Sequence, residues 1–159
     1  MDTRLEQIIT QFNSLALRYF ALIDGPGDER TAWLSDVEVA VADLYAAALR
    51  LPFTEPSDQE APGLPVAAHQ RLMTEITNRV GETNFYEFVF HPLQLKAGPV
   101  VGSLAEDLSS IYEDLYAGTA LMDAHVAPED VVWTWRINFK IHWGRHALGA
   151  LLALGDALR

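Results

Sequence analysis

Residues 128–157, "PEDVVWTWRINFKIHWGRHALGALLALGDA", run for thirty positions with no proline after the first. Pro128 suits the first position of a helix, where a missing N–H costs nothing, and Glu129 and Asp130 favour the positive end of the helix dipole. At 1.5 Å per residue the segment spans roughly 40 Å. Apolar residues occupy nearly its whole circumference, which predicts a long central helix that other helices must wrap. A chain of 159 residues can do this within one domain, burying roughly two thirds of its unfolded surface.

The upstream sequence supplies those partners. Leu5, Ile8, Ile9, Phe12, Leu15, Ala16, Tyr19 and Phe20 recur at three- and four-residue steps, predicting a first helix over about 3–23. Thr3 and Glu6 have capping-box spacing, and "DGPGDE" ends the run. Trp33, Leu34, Val37, Val41, Leu44, Tyr45 and Ala48 predict a second helix over about 29–50. "FTEPSDQEAPGLP" reads as an exposed loop within one domain, too short to separate a pair of cores. A third helix follows over about 66–80 on Leu72, Met73, Ile76 and Val80. Ser103 and Glu106 then cap a fourth, which runs to about 123 with Leu104, Leu108, Ile111, Leu115 and Met122 on one face. "NFYEFVFHPLQL" (84–95) is broken by Pro92 and too short for a clear helix, and Phe88, Val89 and Phe90 suit an extended segment equally well; it is expected as an irregular buried strap across the bundle. The fold expected is therefore all-α: one domain over 1–159, a bundle of about five helices with a long central C-terminal helix.

Composition narrows the function. With no cysteine, disulfides, thiolate metal sites and cysteine nucleophiles are excluded. Eleven Lys and Arg stand singly against twenty-two Asp and Glu, a net charge of −11, so neither nucleic acid nor an anionic membrane surface is an expected partner. No stretch of about 18 apolar residues predicts a membrane span. The N-terminal segment lacks the pattern of a secretory signal, which makes the cytoplasm the expected compartment. An acidic chain of this kind suits a protein partner or self-association.

One polar constellation stands out. At 100° per residue, His142 and His146 share a face of the last helix with Trp135, Phe139, Gly149 and Ala153, while Ile137, Ile141, Leu148 and Leu152 form another stripe. Asp107, Ser110 and Asp114 are spaced i, i+3, i+7 on the fourth helix. If the two helices pack antiparallel, two imidazoles face one or two carboxylates. His142, His146, Asp107 and Asp114 are then candidate ligands for a divalent metal, since nitrogen and oxygen donors suit zinc, manganese, iron or nickel. The bland reading is that each histidine takes a neighbouring carboxylate as hydrogen-bond partner and fixes helix register. HxxxH without the glutamate of HExxH is no zinc-protease motif. Trp133, Trp135, Trp143 and Phe139 are expected in the core. Arg136 and Arg145 could grip an anion, but are expected instead to pair with surface acids such as Glu106, Glu113, Glu129 or Asp130. Gly144, Ala147, Gly149 and Ala150 are expected to admit a neighbouring backbone. The acids Glu106, Asp107, Glu113 and Asp114 lack the paired ExxE and ExxD spacing of a magnesium pyrophosphohydrolase.

"SLAEDLSSIYEDL" (103–115) and "FKIHWGRHALGALLAL" (139–154), with "DLYAAALRLP" and "FVFHP" upstream, resemble a bacterial family, domain of unknown function 5063. The resemblance implies a small all-helical cytoplasmic protein without an established activity. It also implies that Asp107, Asp114, His142 and His146 belong together, the family's His-Trp-Gly-x-His core falling on His142, Trp143, Gly144 and His146. An aspartate common in the family is Ser110 here, which leaves two carboxylates and two imidazoles. The sequence thus favours a non-enzymatic protein-interaction module with no cofactor. The alternative is a metal-binding protein or metal-dependent enzyme built on the His/Asp cluster.

Overall fold

The structure, a computed structural model, describes residues 3–27 and 29–159; Asp28, in the predicted acidic turn, lies outside them. Helices α1 (Thr3–Asp24), α2 (Arg30–Ala48) and α3 (Val66–Val80) are followed by a short 3₁₀ turn, Gly81–Thr83. An antiparallel ribbon of β1 (Phe85–Phe88) and β2 (Val100–Ser103) leads into α4 (Leu104–Asp123). The chain ends in α5 (Pro128–Asn138), a π turn (Phe139–Trp143) and α6 (Gly144–Ala157), which follow one another without a break. The protein is predominantly α-helical, and among the described residues no helix is long and apolar enough to cross a membrane.

Helix boundaries follow from local chemistry. In α1 the buried residues Ile9, Phe12, Ala16, Tyr19 and Ile23 are spaced three and four apart, the stripe the sequence predicts. Beyond its end, Arg79 of α3 donates to the carbonyl of Ile23 at 3.0 Å and also to that of Gly25. These terminal carbonyls lack helical partners and sit at the negative end of the dipole, so a guanidinium suits both needs. Glu29 caps α2 by accepting from Thr31 N–H and Ala32 N–H. The loop after α2 is tied down at the start of α5, where buried Asp130 accepts from the Ser57 amide at 2.6 Å and its hydroxyl at 2.8 Å.

All the α-helices contribute to one contiguous core. Its hub is α4, which contacts α1, α3, α5, α6, the π turn and β2. Leu104, Leu108, Ile111 and Leu115 of α4 are fully buried. Tyr19 O–H donates to the Leu108 carbonyl at 2.6 Å, and the Trp135 indole donates to that of Leu115 at 3.2 Å. The last helices run through the bundle as the sequence predicts, packed on α1, α2 and α4. Their buried face is Trp135, Phe139, Trp143, Ala147, Ala150 and Leu154, but Ile141, Leu148 and Leu152 lie in solvent. The apolar residues all round them serve two different environments.

The π turn explains how the buried face stays continuous. Trp135, Phe139, Trp143 and Ala147 follow one another by fours, and three such steps drift about 120° around an ideal α-helix. Here the Gly144 N–H reaches back five residues to the Phe139 carbonyl. The wider turn absorbs one extra residue and cancels much of that drift.

One correction concerns the strap expected over residues 84–95. The expected irregular buried strap is a β-ribbon, with Phe85 opposite Ser103, Tyr86 opposite Gly102, Glu87 opposite Val101 and Phe88 opposite Val100. It is largely exposed, and Leu93 and Leu95 in the loop joining its strands are each 95% exposed. Asn84, which is buried, fastens the ribbon to α4. Its carbonyl accepts from Leu104 N–H at 2.7 Å, and its side-chain oxygen accepts from Ala105 N–H at 2.8 Å and the Ser103 hydroxyl at 3.1 Å. Ser103 Oγ accepts in turn from Glu106 N–H, the N-cap contact that the sequence predicts.

Candidate functional site

The antiparallel pairing of α4 with the last helices places acids and imidazoles in opposite order. His142 Nδ1 lies 2.7 Å from Asp114 Oδ2, and His146 Nδ1 lies 2.8 Å from Asp107 Oδ1. The two rings meet edge to face with centroids 4.8 Å apart. A carboxylate partner puts the ring hydrogen on Nδ1, which leaves Nε2 as the lone-pair nitrogen of the neutral ring. Neither Nε2 has a hydrogen-bond partner among the described residues, and both histidines line a cavity of about 460 Å³.

Asp107 is the anchor of this arrangement. It is buried, and its second oxygen accepts the Tyr86 phenol at 2.5 Å. Tyr86 reaches it because two glycines make room. A Cβ on Gly102, its cross-strand partner, would strike the Tyr86 ring, and one on Gly149 of α6 would strike its hydroxyl. Burial and the bond to Asp107 both push the Tyr86 phenol well above its ordinary value, so it remains a donor. The predicted backbone approach at Gly149 is therefore corrected: what comes close is a side chain from the ribbon.

The two pairs differ in environment. The bond to Asp107 raises the His146 pKa and outweighs the burial that opposes it, which makes this ring a stronger base than an ordinary histidine. At the other pair, burial raises the Asp114 pKa, and the His142 hydrogen bond recovers only some of that. The His142 side chain is 50% exposed against 24% for His146. With His142 half exposed and Asp114 largely covered, solvent screens this pair more than the other, so the Tyr86–Asp107–His146 chain is the structural element and His142 the adjustable one.

The cavity opens between the ribbon and the π turn. Phe88, Phe90, Val100 and Val101 line one side, with Ile141, His142, Arg145 and His146 on the other and Glu106 and Asp107 contributed by α4. The Arg145 guanidinium lies 4.0 Å from the Phe90 ring centroid, and Arg136 stacks on Phe53 at 5.7 Å. The expected ion pairs of these arginines with Glu106, Glu113, Glu129 or Asp130 are not formed. Rings brought up by the two loops hold them instead.

Of the four predicted ligand residues, the structure brings all into one cluster, but the carboxylates face Nδ1 rather than a point shared with both imidazoles. Among the described residues no three His, Asp or Glu side chains converge as metal donors. The neighbouring Glu113 belongs to a different seam, 3.5 Å from His69 of α3 without hydrogen-bond geometry. The candidate set drawn from sequence lacks Tyr86. Its signal is the alternation Tyr86, Phe88, Phe90, which is strand spacing on the cavity side of the ribbon.

Residues 3–158, almost the whole chain, match the profile of a protein family described as a domain of unknown function, DUF5063. The chain belongs to that family. Among solved structures, protein BF1032 from Bacteroides fragilis, a structural-genomics target, is similar over 95% of both chains with a TM-score of 0.80. At 18% identity that likeness establishes a shared fold. No curated protein matches the chain.

Proposed function

We propose that the protein binds a small ligand in the cleft beneath the ribbon, where His142 and His146 act as paired proton acceptors. The observation that carries this reading is the free Nε2 on each imidazole, facing away from the carboxylate that holds Nδ1. A ligand O–H or N–H donates to Nε2, and the carboxylate behind the ring stabilises the charge that a proton transfer creates. The serine in the lining is committed to Asn84 and to the α4 amide, and the Tyr86 phenol to Asp107, which leaves no lining hydroxyl among the described residues poised as a nucleophile. Ligand binding, with or without proton transfer, is therefore the reading; no bond-breaking step is assigned.

The test is nuclear magnetic resonance of histidine-labelled protein against a mixed set of neutral, cationic and anionic fragments. Fragments that bind should move the ring signals of both histidines, and should lose binding in a folded His142→Ala, His146→Ala variant. Binders that leave both rings unmoved, or a complete lack of binders, would overturn the proposal.

A second reading is favoured by a separate observation. Ile141, Leu148 and Leu152 project into solvent from one side of the last helices, which supports association with a protein partner or a second copy. Both readings are compatible with one molecule, because the stripe borders the cleft at Ile141.

A further inference from the structure

The cleft's lining also specifies what kind of ligand it takes. Arg145 and Lys140 both line the cavity, and neither has an ion-pair partner among the described residues. Both contact aromatic faces instead: Arg145 lies over Phe90 and Lys140 Nζ lies 5.7 Å from the Phe139 ring. A guanidinium stacked on a ring keeps its in-plane N–H groups available, and their fork matches a carboxylate or phosphate. Phe88, Phe90, Val100, Val101 and Ile141 add an apolar wall that no charged headgroup alone would fill. Pockets of this size combine such a wall with a few directed polar groups.

We propose that the ligand is a small organic anion with an apolar body, its charged group on Arg145 and Lys140 and its body against the ribbon. This deepens the reading above and rests on it. The exposed Glu106 at the same opening selects against a second negative charge at the α4 side, so a single anionic group on a compact aromatic or branched body fits best.

The experiment is titration calorimetry with matched probes: 3-phenylpropionate, its neutral amide, 2-phenylethylamine, phenyl phosphate and acetate. The carboxylate should bind about tenfold or more tightly than the amide, and the Arg145→Gln variant should lose a similar factor, as removal of a charge-assisted pair implies. Added salt should weaken binding. Acetate, with no body, should not bind measurably. Phenyl phosphate tells the two anion sources apart. Tighter binding than the carboxylate assigns a phosphate ester, weaker binding a carboxylic acid, and either supports the inference.

Equal binding of the amide or the amine, or an unchanged affinity in Arg145→Gln, would overturn it. Arg145 is exposed, so this substitution should leave the fold intact, and the thermal melt of the variant checks that. The histidine ring signals separate the two possible failures. If the amide or amine binds and moves them, the cleft reading stands and the anion inference falls. If no probe moves them, both fall.

Discussion

At the scale of single residues, the behaviour of the site follows from which oxygen holds which nitrogen. Asp107 accepts from Tyr86 and His146, so removing either donor leaves a buried oxygen unpaired. Tyr86→Phe should destabilise the protein by about 1–3 kcal/mol, measured as a lowered denaturation midpoint. His146 gives a pH signature of known sign. Its folded pKa lies above the ordinary 6.5, so its contribution to stability is fully present below that value and is lost as pH rises through the folded pKa. Urea denaturation from about pH 5.5 to about pH 9 should therefore show the parent's advantage over His146→Gln largest at the acidic end and shrinking upward. A constant difference would mean that the bond does not depend on the imidazolium. The same contacts bear on metal binding. Two free Nε2 atoms are two donors, fewer than the three or four that protein zinc sites supply. Protein purified without chelator should thus carry no stoichiometric metal by elemental analysis. Near-stoichiometric metal that disappears in a folded His142→Ala, His146→Ala variant would reinstate the metal-centre reading.

At the scale of elements, α6 and the ribbon are fitted to each other through Gly149. Replacing a mid-helix glycine by alanine ordinarily stabilises by about 0.5–1 kcal/mol. Here the new methyl would strike the Tyr86 hydroxyl, so Gly149→Ala should destabilise the parent. In a Tyr86→Phe background the obstructing oxygen is gone, and the same substitution should become neutral or stabilising. A double-mutant cycle by chemical denaturation measures this reversal, and additive effects would show that the two positions do not touch. The same pair marks where the sequence is legible. The helices are readable because apolar steps of three and four persist over several turns, and the facing of His142 and His146 with Asp107 and Asp114 follows from that periodicity. The ribbon is not, because its strands are four residues each and joined by a long loop. Their pairing is set by Asn84 and Tyr86 docking on α4 and α6, a tertiary effect that local pattern does not carry. The π turn is equally hidden. No residue in "FKIHW" announces a fifth residue in the turn; it arises from keeping Trp135, Phe139, Trp143 and Ala147 in one core.

At the scale of the whole molecule, a net charge of −11 opposes any self-association that the exposed apolar stripe favours. Ile141 is 73% exposed, and Leu148 and Leu152 are each more than half exposed. They occupy the outer side of a rigid helix whose other face is core. Burying such a stripe against a second copy removes apolar area from water, at roughly 25 cal/mol per Å² before the costs of association. Repulsion between two acidic molecules acts over a Debye length, which falls from about 10 Å at 0.1 M salt to about 3 Å at 1 M. Salt should consequently promote association here, the reverse of its effect on an interface held by ion pairs. Sedimentation velocity across that range should show the weight-average mass rising with salt. The Leu148→Glu, Leu152→Glu variant should stay at the low-salt value throughout, because it adds two charges at the centre of the stripe. A mass that falls on adding salt would assign association to charged groups instead. A mass that rises equally in parent and variant would place the contact elsewhere, with Leu93 and Leu95 at the ribbon's tip as the next apolar surface to substitute.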